Sequence, residues 1–221
     1  FHLKHFLNFS IFTISGVIFF KIILQRSRNR FLSLFITGFY LSSPRIFAEA
    51  FYNSKDILFM SLITISIFFC FKLLKKFSLK NIFLFSLFLA VATQIRVIGF
   101  YIYFLLFLFL FFSYFEKQLS IKKEIFNLIY LIFLFPLLTI LLWPYMWENS
   151  LMNFVSSLFY FSNYGWGGKL LYLGSYVDAK NLPWHYVPVW IAVTTPPIIL
   201  ISFLYSYIKT GYTFSKKFIA L

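Results

Sequence analysis

Repeated apolar runs of close to twenty residues constrain this chain more than any other feature. Residues 6–24, 57–74, 97–115, 125–143 and 186–208 are almost free of charge, and residues 31–42 and 81–94 form two shorter runs of the same kind. A helix rises about 1.5 Å per residue and the hydrocarbon core of a bilayer is about 30 Å thick, so roughly twenty apolar residues make one crossing. The composition agrees. Of 221 residues, 61% are hydrophobic and 12% charged, where soluble domains carry roughly a quarter charged. The expected fold class is all-α, a polytopic membrane helical bundle of about seven transmembrane helices.

Charge sorts the connections between these runs. The connections after the first, third, fifth and seventh runs, together with Lys21 and Lys72 near the inner ends of the first and third runs, hold fourteen of the twenty Lys and Arg residues. The other six are Lys4, Arg45, Lys55, Arg96, Lys169 and Lys180. The positive-inside rule puts the basic connections in the cytoplasm. The N-terminus, residues 43–56, Arg96 and the long segment 144–185 then lie on the outer face. The net charge of +14 does not suggest nucleic acid, because the basic residues are dispersed between apolar runs rather than gathered on a soluble surface. The expected location is multi-pass in the inner (plasma) membrane of a bacterium.

Cys70 is the one cysteine, so no disulfide within the chain and no cysteine-based metal site is available. The 35 Phe residues accompany abundant Ile, Lys and Asn, the bias that AT-rich codons produce. The chain opens at Phe1 without a signal-peptide pattern and stops just after a basic connection. It is expected to be an internal piece of a longer protein, forming one transmembrane domain over 1–221.

The second and fourth runs are short. Such spans are tolerated where the bilayer thins or a helix end opens on a cavity, which would set Arg45 and Arg96 slightly below the outer surface. Between the second and third runs, residues 43–56 read SPRIFAEAFYNSKD. Ser43 can cap and Pro44 fits a first helical position. A helix continued through this stretch would place Arg45, Glu49, Tyr52 and Asp56 within an arc of about 60°. Two readings fit. A charged stripe at the rim of a membrane protein is a candidate site; equally, a juxtamembrane helix can keep one face in water, with an Arg45–Glu49 pair contributing a few tenths of a kcal/mol. Asp56 also suits the positive end of a helix dipole.

Segment 144–185 is expected to be an outer-face loop. Residues 151–160 have a helical apolar pattern suited to lying in the interface, and Tyr164-Gly165-Trp166-Gly167-Gly168-Lys169 reads as a flexible aromatic turn. Trp143, Trp147, Trp184, Tyr186 and Trp190 fit an aromatic belt. His185 has no second His or acid at metal spacing, and no metal site is expected. Further on, Thr194-Thr195-Pro196-Pro197 should kink the seventh span.

Residues 43–56, the segment Asn181-Leu182-Pro183-Trp184-His185-Tyr186-Val187-Pro188-Val189-Trp190 and the Thr-Thr-Pro-Pro sequence together resemble the GT-C membrane glycosyltransferases, in particular the protein-mannosyltransferase-like (family 39) branch. His5 and Asn8 are similar to the His-x-x-Asn that often opens a span in that family. The resemblance covers most of the chain through loose motifs. It implies transfer of a sugar from a polyprenyl-phosphate carrier to an acceptor at the outer face. That chemistry needs a carboxylate to take the acceptor's proton, cations for the departing phosphate and a membrane-level groove for the lipid tail. The family's catalytic acid lies in a loop that would precede Phe1, so the resemblance assigns no general base here. It implies that Arg45 contacts the phosphate. As outer-face cations near the membrane, Lys55 and Arg96 join it, with Glu49, Asp56 and Tyr52 in support. The expected partners are membrane lipid, the polyprenyl-phosphate sugar and an acceptor; no cofactor beyond the lipid-linked donor is assigned.

A transporter or lipid flippase also explains charges at the rim and broken spans. Against it, the runs carry almost no ionisable residue at mid-depth, Lys21 and Lys72 lying near inner ends. A seven-span receptor has the matching count and orientation, but the outer loop has no cysteine pair.

Overall fold

The computed structural model describes residues 2–115, 121–163 and 167–219. Lys117 and the turn residues 164–166 therefore lie outside the described residues. Among the described residues, ten α-helices and one short hairpin follow in order: α1 (His2–Ser27), α2 (Arg30–Ser42), α3 (Pro44–Glu49), α4 (Asp56–Lys75), α5 (Leu79–Ile95), α6 (Phe100–Phe115), α7 (Ile121–Leu142), α8 (Ser150–Ser162), β1 (Lys169–Tyr172), β2 (Ser175–Asp178), α9 (Tyr186–Thr194) and α10 (Pro197–Ile219). The all-α class is met. Among the described residues, three helices are long and apolar enough to cross a membrane: His2–Ser27, Asp56–Lys75 and Glu124–Leu142. A fourth arises if the bent pair α9–α10 counts as one span. Arg30–Ser42, Leu79–Ile95 and Val97–Phe112 are apolar but shorter, so helix length does not establish a count of seven.

The chain divides into two compact units, Phe1–Ser162 and Asn163–Leu221. In the first, α4 packs against both α1 and α5, α5 continues onto α7, and α2 lies on α1. Its main core gathers buried Leu73, Ile82, Phe85, Leu89, Leu131 and Phe135. A smaller core joins Phe12 of α1 to Ala50 and Ile57. Small residues let helices approach closely where no water drives them together. Ser15 and Gly16 are such residues on α1, and a Cβ on Gly16 would stand 2.6 Å from Leu41 Cδ2. Apolar side chains also face outward, among them Phe31, Phe126 and Phe133, a surface suited to lipid rather than water.

Pro136 sits inside α7. It has no N–H for the carbonyl of Ile132, one turn earlier. Tyr103 of α6 supplies the missing donor: its hydroxyl donates to the carbonyls of Ile132 and Leu131, each at 3.2 Å. A cross-helix hydrogen bond thus repairs the defect that proline creates.

In the second unit β1 and β2 pair antiparallel, Tyr172 opposite Ser175. Leu173 and Gly174 make the two-residue turn with φ of 49° and 83°, the left-handed pair that tight hairpins require. This hairpin lies within segment 144–185, expected only to be an outer-face loop with an interfacial helix. The anticipated kink at Thr194–Pro197 is a full break. Tyr186–Thr194 and Pro197–Thr210 meet at 117°. Thr195 is held extended by the proline that follows it, and two successive prolines remove two helical donors.

Candidate functional site

Residues 43–56 do not form one helix, which corrects the expectation of a continuous charged face. Helix α3 begins at Pro44 as anticipated and ends at Glu49. The Asn53 side chain ends it. Its Oδ1 accepts from the backbone N–H of Lys55 at 3.1 Å and of Asp56 at 2.9 Å, turning the chain into α4. Asparagine favours such turns because its side chain mimics a backbone carbonyl. The same amide donates to both neighbouring carboxylates, Glu49 Oε2 at 2.8 Å and Asp56 Oδ2 at 3.1 Å. One side chain therefore sets the turn and bridges two acids.

Each acid also faces an arginine. Arg45 Nε donates to Glu49 Oε1 at 3.3 Å, one turn along α3. Arg96, just past the end of α5, donates through an Nη to Asp56 Oδ1. The result is a continuous polar chain, Arg45–Glu49–Asn53–Asp56–Arg96, drawn from three elements and spanning positions 45 to 96. Arg96 and Asp56 are about half exposed, Arg45 slightly more, and Glu49 is 23% exposed. As exposed ion pairs these contribute roughly 0–1 kcal/mol each, so stability does not explain why they are assembled at one place. Lys55 is exposed beside Asp56. Tyr52 is exposed, and its backbone N–H donates to the Glu49 carbonyl at 3.2 Å.

The turn is fastened to α1 from below. Asn8, 4% exposed, donates through Nδ2 to the carbonyl of Ala50 at 2.7 Å and of Asn53 at 3.4 Å. The His5 ring nitrogen Nδ1 meets the carbonyl of Phe51. Phe9 stacks on Phe51 with centroids 4.7 Å apart. The His-x-x-Asn of α1 and the Pro-Arg stretch, recognised separately in the sequence, are thus one structural unit.

Arg45, Arg96, Glu49 and Asp56 are brought together, with Lys55 adjacent. Sequence reasoning missed Asn53 as the hub. The signal was present: an Asn three residues before an Asp, opening an apolar run, is a turn-and-cap pattern. Among the described residues, no three His, Cys, Asp or Glu side chains gather as metal ligands would. In the first unit, an apolar cavity of about 260 Å³ lies among Phe100, Tyr103, Pro136, Thr139, Met146 and Phe154, under α8. In the second unit, His185 packs edgewise on Trp184 and near Tyr172.

No family model, curated protein or solved structure matches this chain.

Proposed function

We propose that the protein is a glycosyltransferase that moves a sugar from a polyprenyl-phosphate carrier to an acceptor at the outer face of a membrane. The observation that carries this reading is the polar chain at the end of an otherwise apolar helix packet. Two arginines are held apart by two carboxylates on one amide, with Lys55 beside them. An arginine offers five N–H donors in a rigid fork. Arg96, about half exposed, keeps donors for an anion after meeting Asp56.

In such a transfer a general base takes the acceptor's proton, the acceptor attacks the sugar's anomeric carbon and the bond from that carbon to the phosphate oxygen breaks. The electron pair leaves on the carrier phosphate. Arg45, Arg96 and Lys55 would meet that growing charge, and preorganised cations stabilise it best where water is scarce. Glu49 and Asp56 are the positioning residues for the two arginines. The resemblance of residues 43–56 and 181–197 to the family adds support, as does the docking of His5 and Asn8 beneath the same turn.

The test is Arg45→Ala in the full-length protein, assayed in membrane vesicles with radiolabelled polyprenyl-phosphate sugar. Transfer should fall by at least about 100-fold, the usual cost of losing one such donor, with membrane insertion unchanged. Unchanged turnover would remove Arg45 from the site.

A further inference from the structure

The opposite end of the first unit carries a second charged feature. From the Asn8 contact to Arg26 is eighteen residues along α1, or about 27 Å, and from Asp56 to Lys75 along α4 is nearly the same. That matches the thickness of a hydrocarbon core. At this far end the connection between α1 and α2 presents Arg26, Arg28 and Arg30, and the α4–α5 connection presents Lys72, Lys75 and Lys76. All six are exposed.

Although more than forty positions apart in sequence, the two connections meet. Lys75 Nζ donates to Gln25 Oε1 at 3.5 Å, and the Arg26 guanidinium lies 5.0 Å from the centre of the Phe71 ring. The backbone there is pinned. Asn81 Nδ2 donates to the carbonyls of Lys72 and Lys76 at 3.2 and 2.9 Å, and Asn29 Oδ1 caps α2 by accepting from Leu32 N–H. The ion pairs Arg45–Glu49 and Arg96–Asp56 both lie at the other end. Glu124, at the start of α7, has its Oε2 engaged by Asn127 Nδ2 at 2.7 Å. Like charges so gathered repel one another unless an anion covers them.

We infer that these two connections form one cationic surface that binds the headgroups of anionic phospholipids in the leaflet it faces. Juxtamembrane Lys and Arg clusters attract anionic lipid. Here the contacts across α1 and α4 bring Arg26 and Lys75 together at one end of two helices that are each long and apolar enough to cross a membrane. The surface is separate from the proposed transfer site and does not depend on it.

The purified, delipidated full-length protein is titrated in detergent with phosphatidylglycerol, phosphatidylcholine or inorganic phosphate, and bound lipid is counted by native mass spectrometry. Phosphatidylglycerol should bind and phosphatidylcholine should not, with binding weakening as salt rises. Arg26→Gln/Lys75→Gln/Lys76→Gln should lower phosphatidylglycerol affinity about tenfold or more. Lys169→Gln/Lys180→Gln/Lys209→Gln removes the same charge in the second unit and should leave it unchanged. Should the first triple variant lose its helicity, Arg26→Gln alone and the Lys75→Gln/Lys76→Gln pair serve for the same comparison. Equal binding of the two lipids, an equal loss in the second-unit variant, or inorganic phosphate binding as well as the lipid would overturn the inference.

Discussion

Replacing Asn53 separates its two roles. In Asn53→Ala the turn loses its acceptor, a change that costs about 1 kcal/mol at a helix start. The two donors to Glu49 and Asp56 are also lost. At partly exposed sites each contributes roughly 0.5–1 kcal/mol net, so the total is about 2–3 kcal/mol. For a chain of this size that lowers the unfolding midpoint by about 5–10 °C. Asn53→Asp keeps an oxygen for the Lys55 and Asp56 N–H groups and so retains the cap. It replaces the bridging donor by a third carboxylate against Glu49 and Asp56, where each like-charge contact costs on the order of 1–4 kcal/mol between bulk and near-surface dielectric. At neutral pH the aspartate variant is therefore expected to be the less stable of the two, despite the smaller change in shape. Crowded carboxylates hold a proton above their ordinary range. The penalty is present while the introduced group is ionised and is relieved as pH falls toward about 4, where the protonated acid again donates. Thermal unfolding in detergent micelles at neutral and acid pH measures both. An aspartate variant at least as stable as the alanine variant at neutral pH, or one with no recovery in acid, would refute the bridging role.

Three further outcomes follow from the helix packing. Tyr103→Phe should destabilise by about 1–2 kcal/mol by stripping the donor from the Ile132 carbonyl, and much of that loss should vanish in a Pro136→Ala background, read as coupling in a double-mutant unfolding cycle. Gly16→Ala should be tolerated because Leu41 can rotate, whereas Gly16→Val should cost about 1–3 kcal/mol by overpacking the α1–α2 contact, checked by denaturant midpoint. Arg28 holds φ at 54°, so Arg28→Gly should stabilise the turn by up to about 1 kcal/mol, seen as a raised unfolding midpoint.

Much of the helix plan was legible because apolar periodicity and length act locally. The limits of α4 and α5 and the helix at 150–162 follow from uncharged runs bounded by polar turns, and the Pro196–Pro197 break from missing donors. The continuous helix expected over 44–56 failed for a physical reason that is also local: the Asn53 side chain outcompetes the backbone at a point where Glu49 and Asp56 both reward its amide. Helix periodicity weighs faces and does not weigh side-chain turns. The Arg96–Asp56 pair was not legible. It joins residues forty apart, and their meeting depends on α4 and α5 packing with their ends in register. The grouping of like-charged connections at one end was partly legible from the alternation of charge. The contact between Gln25 and Lys75 that turns two connections into one surface was not. The β1–β2 hairpin was hidden because its turn uses Leu173, a residue rarely found at positive φ.

The most direct test of the transferase reading follows the carrier itself. Vesicles containing the full-length protein are loaded with radiolabelled polyprenyl-phosphate sugars, and both the release of sugar-free polyprenyl phosphate and the sidedness of the intact donor are followed over time. Transfer predicts protein-dependent release of the free carrier phosphate, lost in Arg45→Ala and Arg96→Ala. Movement of intact donor across the bilayer with no release from any donor would contradict it and identify a lipid transporter instead.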